Sequence, residues 1–303
     1  MNHKVDIIGA STCFGQPKLG VDFGPDAIRY AGLAKALEIQ GMNVEDKGNI
    51  TGQYKVDPTL HSAKEEMGLL NFEQVKDFST ELAEEVESSV KLGRFPLILG
   101  GDHSLSIGSI AGISPHYENL GVIWYDAHGD LNDSETSPSG NIHGMPLAVA
   151  CGVGHESFVN LHQPGVKVKP ENVVLIGMRD LDVGEREYIK ENDILTFTVT
   201  DIREKGMASV MDEAIAYLKG KVDGLHLSLD VDGLDPTETP GTGTPVDGGM
   251  SLSETQLAMR RLNESDLVTS MDLVEVNPLL DEKNMTAEKA VEIASFLFGK
   301  KQL

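Results

Sequence analysis

The sequence predicts a single α/β domain spanning residues 1–303, a three-layer α-β-α arrangement around an eight-stranded, mainly parallel sheet. Three observations carry this. Eight short apolar runs recur along the chain, most of them separated by stretches with helical spacing, the alternation that builds a parallel sheet covered by helices. Some runs are continuously apolar, as strands buried on both faces are. Clusters of Asp, Glu and His begin where four of the runs stop, at the carboxyl edge where ligands gather in such sheets.

Val5 to Ile8 reads as the first strand, followed by a loop rich in Gly and Pro through Gly15, Pro17, Gly20 and Gly24. Pro25 suits the first position of a helix running to about Gln40. A second strand falls near Asn43 to Ile50, and the polar stretch 51–70 reads as surface loop. Asn71 is placed to cap a helix in which Phe72, Val75, Phe78, Leu82, Val86 and Val90 repeat at three and four, an amphipathic face packed on a sheet. Phe95 to Leu99, Gly121 to Tyr125, Val173 to Ile176, Ile194 to Thr198, Gly224 to Leu229 and Leu267 to Val274 complete the strands. Helices are expected after Ser104, just after Gly144, and at Met207 to Leu218, Ser253 to Asn263 and Ala287 to Phe298.

Bulk composition narrows the function. The chain is 40% hydrophobic and 24% charged, ordinary for a globular protein. No run approaches the roughly 20 apolar residues of a membrane span, and Met1-Asn2-His3-Lys4 leads into the first strand without a secretory apolar region. Cys13 and Cys151 are the only cysteines, which fits core packing in a reducing cytoplasm. With 25 Lys and Arg against 48 Asp and Glu, the net charge of −23 repels nucleic acid and anionic lipid and attracts cations.

The stretch Asp126-Ala127-His128-Gly129-Asp130 follows the run ending at Tyr125. Side chains along an extended segment alternate faces, so Asp126, His128 and Asp130 are expected to project to the same side of the strand end. Asp230-Val231-Asp232 follows Leu229 in the same way, and His103 follows the strand ending at Leu99. His103, Asp126, His128, Asp130, Asp230 and Asp232 together make a metal set larger than one ion needs. Two divalent ions sharing carboxylates would use them all. Oxygen-rich ligation with some imidazole suits Mn²⁺ better than a thiolate-loving metal. A pair of such ions favours hydrolysis by activated water.

Three blocks, Gly100-Gly101-Asp102-His103-Ser104, Asp126 to Asp130 and Ser228-Leu229-Asp230-Val231-Asp232-Gly233-Leu234-Asp235-Pro236, resemble the signature blocks of the ureohydrolases. That family holds arginases, agmatinases and formimidoylglutamases. The resemblance runs from the Gly-rich loop through Glu275-Val276-Asn277-Pro278 and implies the fold described above. Ser139-Gly140-Asn141-Ile142-His143-Gly144-Met145-Pro146 is most similar to the arginase version.

What the resemblance implies is a binuclear-manganese enzyme, two Mn²⁺ per subunit, that cleaves L-arginine to L-ornithine and urea. Asn132, Ser139 and Asn141 would receive the substrate's carboxylate, and Asp182 and Glu185 its α-amino group. Glu275 would pair with the guanidinium, and Thr244 would support the pocket. Asp130 would hold the nucleophile and carry its proton, and His143 would shuttle protons to the leaving amine. Homotrimers or homohexamers are the family expectation.

Two departures stand out. Gly129 occupies a position where relatives carry Thr or Ala, which loosens the strand end without costing a ligand. Leu252-Ser253-Glu254 lacks an Arg that helps to hold subunits together. Agmatinase is the nearest rival. A two-metal phosphoesterase would need basic residues beside the ions, and a silent metal-binding regulator would not need His143 and Glu275.

Overall fold

A computed structural model describes residues 4–50 and 68–300. Among them eight strands form one sheet: β1 (Lys4–Ala10), β2 (Asn43–Ile50), β3 (Phe95–Gly100), β4 (Leu120–Tyr125), β5 (Val173–Met178), β6 (Leu195–Thr198), β7 (Gly224–Asp230) and β8 (Val268–Val274). Their order is β2-β1-β3-β8-β7-β4-β5-β6, with every neighbouring pair parallel. All eight expected strands are present, and the sheet is parallel throughout rather than mainly so.

The order decides where chemistry can occur. The strands followed by polar clusters, β3, β8, β7 and β4, are four consecutive neighbours at the centre. Their register brings the ends level: Leu99 and Leu229 both pair with Leu273, and Tyr125 pairs with Leu229. Strand alternation divides the core. Leu97, Tyr125, Leu227 and Leu273 face the helices Met207–Leu218, Leu252–Ser265 and Met285–Leu297. Ile98, Trp124, Leu175 and Val274 face the helices Phe72–Lys91, Ser106–Ile113 and Pro146–Ala150. Three layers result, as patterned.

Two details differ from expectation. The helix expected from Pro25 to Gln40 is two, Gly24–Tyr30 and Leu33–Ile39, because Gly32 between them takes φ 93°, a region open to glycine. Asn71 stands at the N-cap position, and its side-chain amide donates to the Phe14 carbonyl, tying the helix to the N-terminal loop. Of the loop expected at 51–70, residues 51–67 lie outside the described residues. Both cysteines are buried, as core packing requires.

Candidate metal centre

The site begins where β3 stops. Gly101 lies so near the β1 end that any side chain would collide with the Ala10 carbonyl. Asp102 then caps the turn, accepting from the backbone N–H of Ser104 at 3.0 Å and from that of Gly15 at 3.0 Å. The turn delivers His103 into the sheet edge, stacked on Trp124 with ring centroids 4.2 Å apart. Its Nε2 meets Ser228 Oγ at 2.8 Å, so Nδ1 is the nitrogen that faces the acids.

The second block converges by turning. β4 ends at Tyr125, and Asp126 to Asp130 run through bends, with Asp130 in the left-handed region at φ 49°. Extended alternation is therefore not what aims these side chains. A hydrogen bond of 2.7 Å from the His128 N–H to Asp126 Oδ1 holds the first bend. Gly129 is not slack either, since a Cβ there would lie 2.9 Å from Glu185 Oε1.

In the third block the Asp232 N–H donates to Asp230 Oδ1 at 2.7 Å, and Thr244 donates to Asp232 Oδ2 at 2.8 Å. Arg179 clamps the same turn, donating to the carbonyls of Asp232, Gly233, Leu234 and Val246. A lysine cannot fork to so many acceptors. Each charge-assisted bond contributes about 1.5–3 kcal/mol net, so Arg179→Lys is expected to lower unfolding stability by about 2 kcal/mol. An unchanged urea midpoint would show that the turn holds itself.

Two triads of ligand atoms result: His103, Asp126 and Asp230, and Asp126, His128 and Asp232, with Asp126 common to both. Five of the six predicted metal residues stand in these triads. Asp130 belongs to neither, yet its Oδ2 lies 3.0 Å from His103 Nδ1. That nitrogen is also 3.1 Å from Asp126 Oδ2 and 3.3 Å from Asp230 Oδ2. Even so, neither His103 Nδ1 nor Asp126 Oδ2 makes a hydrogen bond among the described residues. Buried polar atoms are normally satisfied. Donor atoms crowded at about 3 Å and pointing past one another fit a shared cation, and the chemistry of the set fits a hard one.

The charges agree. Burial would raise Asp126, but the His103 and His128 imidazoles on its two oxygens outweigh that and hold it well below the usual range. Burial and the neighbouring carboxylates push Asp230 and Asp130 up, and Asp232 up to about 6. Burial and like charge thus disfavour ionisation of these carboxylates in the metal-free cluster, and a bound cation would favour it.

A cavity of about 240 Å³ opens above the triads, and the residues predicted to hold the substrate's amino-acid end and to support the pocket line it: Asn132, Ser139, Asn141, Asp182, Glu185 and Thr244. His143 lines it too. Glu275 does not. It is 1% exposed, beneath the floor, at φ 65°. Its Oε1 accepts from the His103 N–H at 2.9 Å and sits 3.1 Å from His143 Nδ1, and its Oε2 accepts from Gln16 at 2.7 Å. Glu185 accepts from the N–H groups of Leu131 and Asp182, and burial lifts its carboxyl to about 7. No Lys or Arg lines the cavity among the described residues, which leaves a phosphate without a clamp. Sequence reasoning missed Gln16, Arg179 as a clamp, and the wall residues Ser137 and Asp180.

A parallel α/β sheet with paired His/Asp triads at its central carboxyl edge defines a two-cation hydrolase. Comparison with known proteins narrows the class. The family model described as "Arginase family" matches residues 3–299. An arginase of Staphylococcus aureus (strain MSSA476) is 55% identical over 296 residues, 97% of each chain. Crystal structures of the Bacillus subtilis and Bacillus caldovelox arginases superpose with TM-scores of 0.93 and 0.94, at 51% and 50% identity, covering 99% of both chains in each case. The chain belongs to the arginase family.

Proposed function

We propose that this chain hydrolyses the guanidinium group of L-arginine to L-ornithine and urea, using two Mn²⁺ ions held by His103, Asp126, His128, Asp130, Asp230 and Asp232. The observation that carries the reading is the pair of triads sharing Asp126 beneath a cavity walled by amide, hydroxyl and carboxylate side chains. Bound there, divalent ions supply Lewis acidity, lowering the pKa of water and neutralising developing negative charge. Oxygen-rich ligation favours Mn²⁺.

The protein's own groups do the rest. A guanidinium stays protonated at any working pH. Glu275, pinned from three sides by Gln16, His103 and His143, offers it a fixed negative charge. Ser139 Oγ accepts from the Asn141 N–H at 3.1 Å, which leaves the hydroxyl proton for the substrate carboxylate. Asn132 is held at 2.8 Å to Asp182, placing amide and carboxylate side by side for the two charges of an amino acid. His143 keeps Nδ1 on Glu275 and has Nε2 to pass a proton to the leaving amine. Asp130, beside His103 Nδ1, is the group that positions the attacking water and takes its proton.

The test is urea release from metal-stripped protein, before and after Mn²⁺ is restored, with arginine and agmatine in parallel. Activity should return only with the metal. Arginine should be preferred by about 10–100-fold for each charge-assisted bond lost, because agmatine lacks the carboxylate that the buried Asn132 and the more exposed Ser139 and Asn141 would receive. Equal rates would make the chain an agmatinase, and full activity without metal would refute the two-ion reading. We place the enzyme in the cytoplasm as one domain per chain in a homotrimer or homohexamer, which sedimentation will decide. No helix among the described residues is long and apolar enough to cross a membrane.

A further inference from the structure

Ser139 and Asn141, which we assign to the substrate's carboxylate, stand on a bend outside any helix or strand. Ser139 is exposed and Asn141 half-buried. Within the bend the bonds are local: the Gly140 N–H donates to Ser137 Oγ at 3.0 Å, and the Asn141 N–H to Ser139 Oγ at 3.1 Å. Local bonds of this kind shape a bend but do not fix it against the rest of the protein. The tie to a distant segment is made at Gly140, whose carbonyl accepts from the Leu70 N–H at 3.0 Å. Gly140 takes φ 76°, and a Cβ on it would collide with the Gly68 carbonyl.

We propose that Gly140 is a positioning residue for substrate selectivity: the backbone of Gly68 to Leu70 fills the space of its missing side chain and sets Ser139 and Asn141 as a fixed wall for an amino-acid carboxylate. The supporting segment is firmly held. Leu69, Leu70 and Asn71 are at most 4% exposed, and Leu69 packs with Phe14, Phe72 and Ile142 in a small core. The Asn71 amide donates to the Phe14 carbonyl at 2.8 Å. The next residue of that loop, Gly15, accepts from the His143 N–H at 3.1 Å. The wall is thereby braced at both ends, at Gly140 by Leu70 and at His143 by Gly15, and Asn71 ties the two braces together. A side chain at position 140 forces a choice between the buried brace and the exposed bend, since a backbone carbonyl cannot rotate aside. The bend yields, because moving it uncovers less apolar surface than moving the brace. The left-handed φ adds strain for anything but glycine.

This inference rests on the reading that the wall receives the substrate's carboxylate, and the test separates the two. Gly140→Ala is assayed with Mn²⁺ present for urea release from L-arginine and from agmatine. The carboxylate contact lies away from the reacting carbon and is made alike in bound substrate and transition state, so KM for arginine should rise with kcat nearly kept. Its kcat/KM should fall by about 10–100-fold, the worth of one charge-assisted bond. Agmatine has no carboxylate and should keep its wild-type kcat/KM, whereas a merely destabilised enzyme would lose both substrates together. Added to Ser139→Ala, the Gly140→Ala change should cost less than it does alone, because the two act through one contact. Asn71→Asp covers a failure of Gly140→Ala to fold. Aspartate tolerates the φ of 49° at Asn71 but cannot donate to the Phe14 carbonyl, so the arginine-to-agmatine ratio should shift the same way by a smaller factor.

A crystal structure of Gly140→Ala supplies a readout that needs no substrate. The bend Pro138 to Asn141 should be displaced, with Gly68 to Asn71 and both triads in place. An unmoved bend would overturn the proposal, as would equal losses on arginine and agmatine, or wild-type arginine kinetics in both variants. A wild type without preference for arginine would sink the substrate reading instead, and the variant's structure would still decide whether Gly140 sets the wall.

Discussion

Replacing Asp126 by asparagine will disable both cation positions at once and lower urea release on the order of 10³-fold or more, the rate equivalent of several kcal/mol of lost charge stabilisation. Asp126 is the residue common to both triads, fully buried, with one oxygen 3.1 Å from His103 Nδ1 and the other 3.3 Å from His128 Nδ1. The asparagine keeps an oxygen for the His128 N–H but not the charge. Folding should survive. In metal-free protein the change removes one carboxylate from a cluster that already pushes Asp230, Asp130 and Asp232 toward protonation, so the variant should melt no lower than the metal-free wild type. The difference emerges on adding Mn²⁺. A ligand that binds only the native state adds about 2.7 kcal/mol at a hundred times its Kd, and that gain should nearly vanish in the variant. A variant that keeps the wild-type gain would mean that Asp126 is not the shared ligand.

Much of this centre could be read from residue order, and the reason is geometric. In a parallel sheet every strand ends on the same edge, so acids and imidazoles after Leu99, Tyr125, Leu229 and Val274 had to meet if those strands are neighbours. The sheet order makes them so. What residue order does not carry is how the chain turns after a strand. Asp126, His128 and Asp130 look like alternating strand positions, yet bends and a left-handed Asp130 aim them. Gly32 breaks a helix whose apolar spacing runs through it. Contacts between distant segments were equally hidden. Gln16 reaches Glu275 across 259 positions, and nothing in the loop around it distinguishes that glutamine from a surface one. Arg179 lies three residues before Asp182, a predicted substrate contact, but its guanidinium is spent on backbone carbonyls of another loop. Ser106, Ser228 and Asp272 beneath His103 are spaced like ordinary strand and helix positions, and become a network only when β7, β8 and the helix Ser106–Ile113 are packed together.

Asp130→Asn should cost about 10²–10⁴-fold in turnover, the usual worth of a positioned acid–base group, while leaving the fold intact. Asp130 is exceptional because its backbone and side chain have separate tasks. The backbone takes φ 49°, and its carbonyl accepts from the N–H groups of Leu147 and Ala148, anchoring the helix Pro146–Ala150. Asparagine tolerates that left-handed conformation as aspartate does, so the anchor stays. Alanine would confound the result by straining the turn. The side chain, by contrast, has Oδ2 3.0 Å from His103 Nδ1 and stands outside both triads. Its loss should therefore affect the chemical step more than cation binding, the reverse of the balance expected for Asp126→Asn. The comparison to make is Mn²⁺ stoichiometry, melting temperature and kcat measured on one preparation. Two ions bound, an unchanged melt and a collapsed kcat would identify Asp130 as the group that handles the proton of the attacking water. Wild-type kcat would remove it from the mechanism, and loss of one ion together with activity would make it a ligand first.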